Sequence, residues 1–306
     1  MNKNIFHKIM LISPISTIIN CSQSSKTFYK WCTHNSFWFI LCQRDYKDDY
    51  MDFDKPFFKE TYVLCHSLRP YAGNDKIKKL FEHDSISVYY KTIKGIPKEI
   101  KEFTHLRYLS IQSSEILTIP DELFHLTKLQ QLTLTCSQIE SIPKNINRLI
   151  HLHNLNLSKN NIKVIPIELC QLINLVRLQI VSNKITIIPD EIYGLTKLND
   201  LDLSFNEITH VPNTIQQLVN LKGLHLGSNK ITEITEAMCK LPKLEYCYLG
   251  NNLIKEIPPY KQIKQLKKIQ LIDLSYNQVM AVPRDMEYII RIENNNSGEE
   301  GTEEDE

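Results

Sequence analysis

Glycine is the scarce residue of this chain, with 8 among 306, where average usage of roughly 7% would supply about 21. Few backbone positions are therefore expected to adopt positive φ or to approach a phosphate closely. In keeping with that, G-x-G-x-x-G, G-x-x-x-x-G-K-[ST] and G-x-S-x-G are all absent, and no cofactor is called for. Eight cysteines are present but none forms C-x-x-C, so metal-site spacings are missing; Cys32/His34 and Cys65/His66 are too loosely spaced to make a zinc site. No stretch approaches the roughly 18 apolar residues of a membrane span. A dense basic stripe is lacking too: 36 Lys and Arg face 35 Asp and Glu, which argues against a nucleic-acid partner. That balance hides a partition. The segment 293–306 is acidic, without a base or an apolar side chain, and is expected to be a disordered tail.

What is abundant is Ile and Leu, 40 and 36 residues, and their spacing repeats every 23 positions. One unit reads Leu175-x-x-Leu178-x-Ile180-x-x-Asn183-x-Ile185-x-x-Ile188-Pro189-x-x-Ile192-x-x-Leu195. Further units open at Leu106, Leu129, Leu152, Leu198, Leu221 and Leu244, then at Ile269 after a unit two residues longer. A degenerate first unit is phased from His83 through Ile86, Val88, Ile96, Ile100 and Phe103. About nine units thus cover 83–292. The spacing of two puts Leu178 and Ile180 on one side of a short strand. The Ile-Pro half suits a short helix or 3₁₀ turn, with Pro189 fixing φ where that outer segment starts, as at a first helical position. No unit can bury its apolar face alone, so the units must stack into one core. Asn160, Asn183, Asn206, Asn229, Asn252 and Asn277 recur where the strand turns out; a buried amide there can satisfy backbone groups left unpaired. Lys91, Ser114 and Ser137 replace Asn in the first three units, which predicts a looser N-terminal end.

This pattern resembles the leucine-rich repeat, specifically the 23-residue type with an Ile-Pro step found in scaffold proteins of Ras-type signalling pathways. The resemblance covers about two-thirds of the chain. It implies an α/β fold, a curved solenoid with parallel strands on the concave face and short helices or 3₁₀ turns on the convex one. It also implies that the six Asn residues form the family's structural asparagine ladder.

Between the buried Leu positions, strand residues project onto the concave face. One row runs Tyr108, Gln131, Asn154, Arg177, Asp200, Gly223, Tyr246; the next runs Ser110, Thr133, Asn156, Gln179, Asp202, His225, Tyr248, Asp273. A third row includes Lys159, Phe205, Asn251 and Tyr276. Arg177, Asp200, Asp202, Phe205, His225, Tyr246, Tyr248, Asp273 and Tyr276 concentrate in the C-terminal half, and Tyr and Arg are the types enriched at binding hot spots. This patch is the candidate partner-binding site. Asp200, Asp202 and His225 could approach one another, but an open, solvated sheet excludes no water and shifts pKa values little, so neither catalysis nor metal ligation is expected there.

Residues 1–53 fit no repeat and read as an irregular segment; 54–82, with Phe57, Phe58, Tyr62 and Leu64 among charges, read as an N-terminal cap over the first unit. Lys3 and Lys8 precede Ile9 to Ile12, a signal-peptide-like order diluted by Ser13 and Pro14. The scattered cysteines and a sequon on the concave face at Asn156-Leu157-Ser158 favour a reducing, cytoplasmic home. The expectation is a non-catalytic scaffold binding a protein partner, with a secreted or surface-attached receptor-like recognition protein as the alternative.

Overall fold

A computed structural model describes residues 84–89, 95–112 and 115–295. Expectations for the segments 1–53 and 54–82, for Lys91 and Ser114, for the Cys/His pairs and for the tail beyond 295 lie outside these. The chain divides into two compact units, Met1–Ile86 and Ser87–Glu306, and the repeats described next fall in the second apart from residues 85–86.

Each of the nine units contributes one short strand, a tenth strand closes the last unit, and the strands lie in chain order in a single sheet. They are β1 (Ser85–Tyr89), β2 (Tyr108–Gln112), β3 (Gln131–Thr135), β4 (Asn154–Asn156), β5 (Arg177–Gln179), β6 (Asp200–Asp202), β7 (Gly223–His225), β8 (Tyr246–Tyr248), β9 (Leu271–Asp273) and β10 (Ile290–Arg291). From β2 onward every neighbouring pair is parallel. The period fixes the register. Arg177 pairs with Asp200, Leu178 with Leu201 and Gln179 with Asp202, so equivalent positions of successive units stand side by side. Leu178, Leu201 and Leu224, together with Ile180, Leu203 and Leu226, are fully buried. Each such side chain contributes about 1.5–3 kcal/mol of hydrophobic stabilisation. Cys247 takes a Leu position in β8 at 3% exposure, and burial pushes its thiol up to about 12; Cys170 is likewise held at about 12 and Cys239 at about 11. These three are inert core fillers rather than reactive thiols.

The convex side is built mostly of 3₁₀ turns, such as Asp121–His125, Asp190–Gly194 and Asn213–Gln217, with two single α-turns, Glu236–Cys239 and Tyr260–Ile263. Proline stands one residue earlier than expected. Pro189 is the N-cap, extended at φ −66° and ψ 147°, and its carbonyl accepts the first turn bond from Ile192 N–H at 3.1 Å. A residue in that conformation precedes the helix instead of starting it. Where Pro is missing, Thr235 caps instead, its hydroxyl oxygen accepting from Met238 N–H at 3.4 Å.

The asparagine ladder is the second structural spine. Asn206 Oδ1 accepts from Ile185 N–H (3.0 Å), one unit back, while Nδ2 donates to the carbonyls of Ile180 (2.8 Å) and Leu203 (3.0 Å). The same pattern recurs at Asn160, Asn183, Asn229, Asn252 and Asn277. Every rung therefore ties two repeats together. A further rung, Asn295, accepts from Asn277 N–H (2.8 Å) and donates to Leu274 O (3.1 Å), so ordered structure runs three residues past the boundary placed at 292. Its distance of 18 from Asn277, rather than 23, is why the repeat pattern does not reveal it.

Two expectations need correcting. Positive φ is not rare in this glycine-poor chain: Cys136, Lys159, Ser182, Phe205, Ser228, Asn251, Tyr276 and Asn294 all lie at φ 51–59°. Each immediately precedes a ladder position. A left-handed residue costs about 1–2 kcal/mol, and the turn's backbone bonds to the next unit, such as Cys136 N–H to Ser158 O at 3.2 Å and Phe205 N–H to Gly227 O at 2.8 Å, offset that cost. Nor does Ser137 loosen its unit. Cys136 keeps the left-handed turn, Ser137 N–H bonds to Lys159 O at 3.1 Å, and β2 pairs with β3 over five residues, longer than any later pair.

Candidate partner-binding face

Register carries the first two concave rows into space as read from the sequence. Tyr108, Gln131, Asn154, Arg177, Asp200, Gly223 and Tyr246 stand strand beside strand, and so do Ser110, Thr133, Asn156, Gln179, Asp202, His225, Tyr248 and Asp273. The ladder residues sit beneath, in or against the core, and are not part of this face.

Five of the nine candidate residues are linked. Asp200 is the centre: its Oδ2 accepts from Arg177 Nε at 3.1 Å, and its Oδ1 from His225 Nε2 at 3.1 Å. The His225 ring stacks on Tyr248 with centroids 4.8 Å apart, and Tyr248 stacks on Tyr246 at 6.4 Å. Tyr246 donates its hydroxyl proton to Gln270 at 2.7 Å. Room for this arrangement comes from Gly223: a Cβ there would lie 2.9 Å from both Asp200 Oδ1 and His225 Nε2. Gly223 and Gln270 belong to this cluster by geometry although residue-type reasoning passed over them; a lone Gly among bulky row residues was a visible signal.

Each partner shifts the other's titration. Hydrogen bonding from His225 holds the Asp200 carboxyl below its ordinary value, against the opposing effect of burial, with charge attraction from His225 and Arg177 adding to it. The same bond, with the charges of Asp200 and Asp202, holds the His225 imidazole above its usual 6.5 despite burial. The stabilisation from His225 is thus complete below pH 6.5 and is lost as pH rises through its raised folded value. That from Asp200 is complete above about 3.8 and is lost as pH falls through its lowered folded value. Because both groups are only half-buried, the effect is that of a surface pair, under about 1 kcal/mol. Wild type is expected to lose more thermal stability than His225→Gln between pH 5.5 and 8.5; equal losses in calorimetry would show the pair to be without effect.

Asp202 and Asp273 do something different. Each accepts, through Oδ1, the N–H two residues on: Ser204 at 3.1 Å and Ser275 at 2.9 Å. Phe205 and Tyr276 stand apart in the third row, 60% and 59% exposed, on left-handed backbone. An open groove of about 1040 Å³, lined by Asn251, Lys255, Gln278, Met280 and Asn294, flanks Tyr276. Among the described residues no group of three His, Cys, Asp or Glu gathers as metal ligands would, and no helix is long and apolar enough to cross a membrane.

The leucine rich repeat family matches the sequence over residues 104–162, 150–208, 173–231, 201–254 and 219–279, overlapping segments that run through more than half of the chain. The chain belongs to the leucine-rich repeat family. Solenoids of this kind present extended concave binding surfaces. No curated protein matches the sequence. Among solved structures, this leucine-rich repeat chain is similar to the ectodomain of the Arabidopsis thaliana receptor kinase GASSHO1/SCHENGEN3, in complex with Casparian strip integrity factor 2, at 26% identity and TM-score 0.59, over 68% of this chain and 26% of that one. It is similar to the Arabidopsis receptor kinase HAESA, in complex with the peptide hormone IDA and the co-receptor SERK1, at 26% identity and TM-score 0.61, over 69% and 37%. A leucine-rich repeat protein of Leptospira interrogans aligns at 29% identity and TM-score 0.50, over 67% and 64%. The chain spans less than two-thirds of the length of each of these proteins.

Proposed function

We propose that this leucine-rich repeat protein is a non-catalytic interaction scaffold in the cytoplasm, binding a protein partner through the C-terminal half of its concave face. The observation that carries this is the clustering of Arg177, His225, Tyr246 and Tyr248 about Asp200, with Phe205 and Tyr276 exposed beside them. Exposed rings held by stacking and by backbone lose little side-chain entropy on contact, which is what makes aromatic anchors effective. The open sheet offers Asp200 and His225 no enclosed cavity in which a proton could be moved away from water. Free thiols at all four described cysteines support the cytoplasmic assignment. Asn156 of the sequon is committed to Gln179 Oε1 and to Ser158 N–H, which disfavours a glycan there.

The alternative, a secreted or surface-attached recognition protein, is favoured by one observation: two of the similar solved structures are plant receptor kinases bound to their ligands. Replacing Phe205, Tyr246 and Tyr248 together by Ala is expected to leave the melting transition nearly unchanged and to abolish partner capture from lysate. Recovery of the same partners by the triple variant would refute the concave-face reading.

A further inference from the structure

Resting on that reading, we infer what the partner presents: an extended segment with two basic side chains, Lys or Arg, taken up by Asp202 and Asp273 beside the exposed rings.

The two carboxylates are not needed by the fold. The turn that Asp202 makes with Ser204 N–H at 3.1 Å is made by Asn156 with Ser158 N–H at 3.0 Å, at the same position two units earlier. A neutral amide therefore meets the structural requirement, and the negative charge of Asp202 and Asp273 is surplus to it. Nor is that charge taken up in an ion pair, although Asp202 lies close enough to His225, and Asp273 to Arg291, to favour their charged forms. Arg177 and His225 both go to Asp200, and Arg291, beside Asp273 in the sheet, gives its guanidinium to Glu293 at 2.7 Å. No Lys or Arg among the described residues lies within ion-pair distance of Asp202 or Asp273. Each keeps a carboxylate oxygen for an incoming cation.

The surface between them is open and aromatic. Asp202, His225, Tyr248 and Asp273 occupy one row on β6 to β9. Beneath the next positions run Gly227 and Gly250; a Cβ on the second would press on Ser275 O at 3.3 Å. Phe205 and Tyr276, in the turns that follow β6 and β9, are 60% and 59% exposed. Ring faces beside carboxylates attract a cation twice over, through charge and through the ring quadrupole. The two acids lie three strand intervals apart, about 14 Å. An extended segment laid across the strands advances about 3.3 Å per residue, so side chains four residues apart span that distance.

The test uses the full chain and the synthetic peptide Gly-Arg-Gly-Ser-Gly-Arg-Gly, with versions carrying Gln or Glu in place of both Arg residues, titrated by calorimetry or NMR. The diarginine peptide is expected to bind at least tenfold more tightly than the Gln version, and the Glu version not at all. Asp202→Asn with Asp273→Asn should keep the wild-type melt, since Asn156 shows the turn needs no charge, and should weaken diarginine binding at least tenfold. Glu140→Gln with Glu233→Gln, the same change in net charge at two exposed outer sites, should leave binding unaltered. Equal binding of the Arg and Gln peptides, or an undiminished double Asn variant, would overturn the inference. So would equal weakening by the outer pair. A natural partner lost by the triple Ala variant but kept by the double Asn variant sinks the basic-segment inference alone; one kept by both sinks the concave-face reading with it.

Discussion

Leu178→Asp is expected to unfold the central repeats, at a cost above about 4 kcal/mol. Leu178 has no exposed surface and faces Leu155 on one side and Leu201 on the other. Truncating such a leucine costs roughly 2–5 kcal/mol through the cavity alone, and the carboxylate adds the penalty of a charge without a partner. Its neighbour is the control. Arg177, one residue earlier, is exposed and makes a surface pair with Asp200, so Arg177→Ala should cost less than about 1 kcal/mol. A contrast this steep between adjacent residues is the signature of strand alternation, because a slip of one residue would exchange their faces. Urea unfolding followed by circular dichroism measures both. A Leu178→Asp chain that melts like wild type would mean the register of β5 is wrong. Hydrogen exchange should place the loss in the units around residues 152–221 first, since each repeat touches only its neighbours.

That register was readable because two periods reinforce each other. Alternation within L-x-x-L-x-L chooses the buried side, and the 23-residue spacing aligns Asp200 beside Arg177 and His225 beside Asp202 without any structural information. Where one of the two signals lapses, so does legibility. Asn295 closes the ladder at a spacing of 18 inside a run of three Asn, so no period singles it out. The left-handed turn before each ladder position carries Cys, Lys, Ser, Phe, Asn or Tyr, and no residue type marks it; it goes with backbone bonds to the next unit, such as Cys136 N–H to Ser158 O and Phe205 N–H to Gly227 O. The linkage of Asp200 to His225 depends on what Gly223 lacks, a Cβ, which a search for chemically active residues overlooks. Pro189 was read as a helix start because Pro favours that position generally, whereas the turn's geometry puts it one residue earlier.

Asn206→Leu tests the ladder, and its expected cost is about 3 kcal/mol, near that of a core truncation although no apolar surface is lost. Asn206 is nearly buried, and removing its amide strips Ile185 N–H of its acceptor and Ile180 O of a donor. Each buried group left unpaired costs roughly 1–3 kcal/mol, and Leu is too wide to let water in. Because the two orphaned groups belong to the repeat before Asn206, the damage is to the interface between units, not to one unit's own turn. Asn206→Ser should fall between wild type and Leu: a hydroxyl can replace one donor and one acceptor but cannot reach both sides as a carboxamide does, and Ser137 shows that the left-handed turn itself survives the exchange. The terminal rung calibrates the effect. Asn295 bonds inward to Asn277 and Leu274 near the end of the described chain, so Asn295→Ala should fray β10 while leaving the main transition in place, as nearest-neighbour coupling requires. Midpoints from urea titration should therefore coincide for wild type and Asn295→Ala and fall from there to Asn206→Ser and then Asn206→Leu. A wild-type midpoint for Asn206→Leu would show that the stacked leucines alone hold neighbouring units in register.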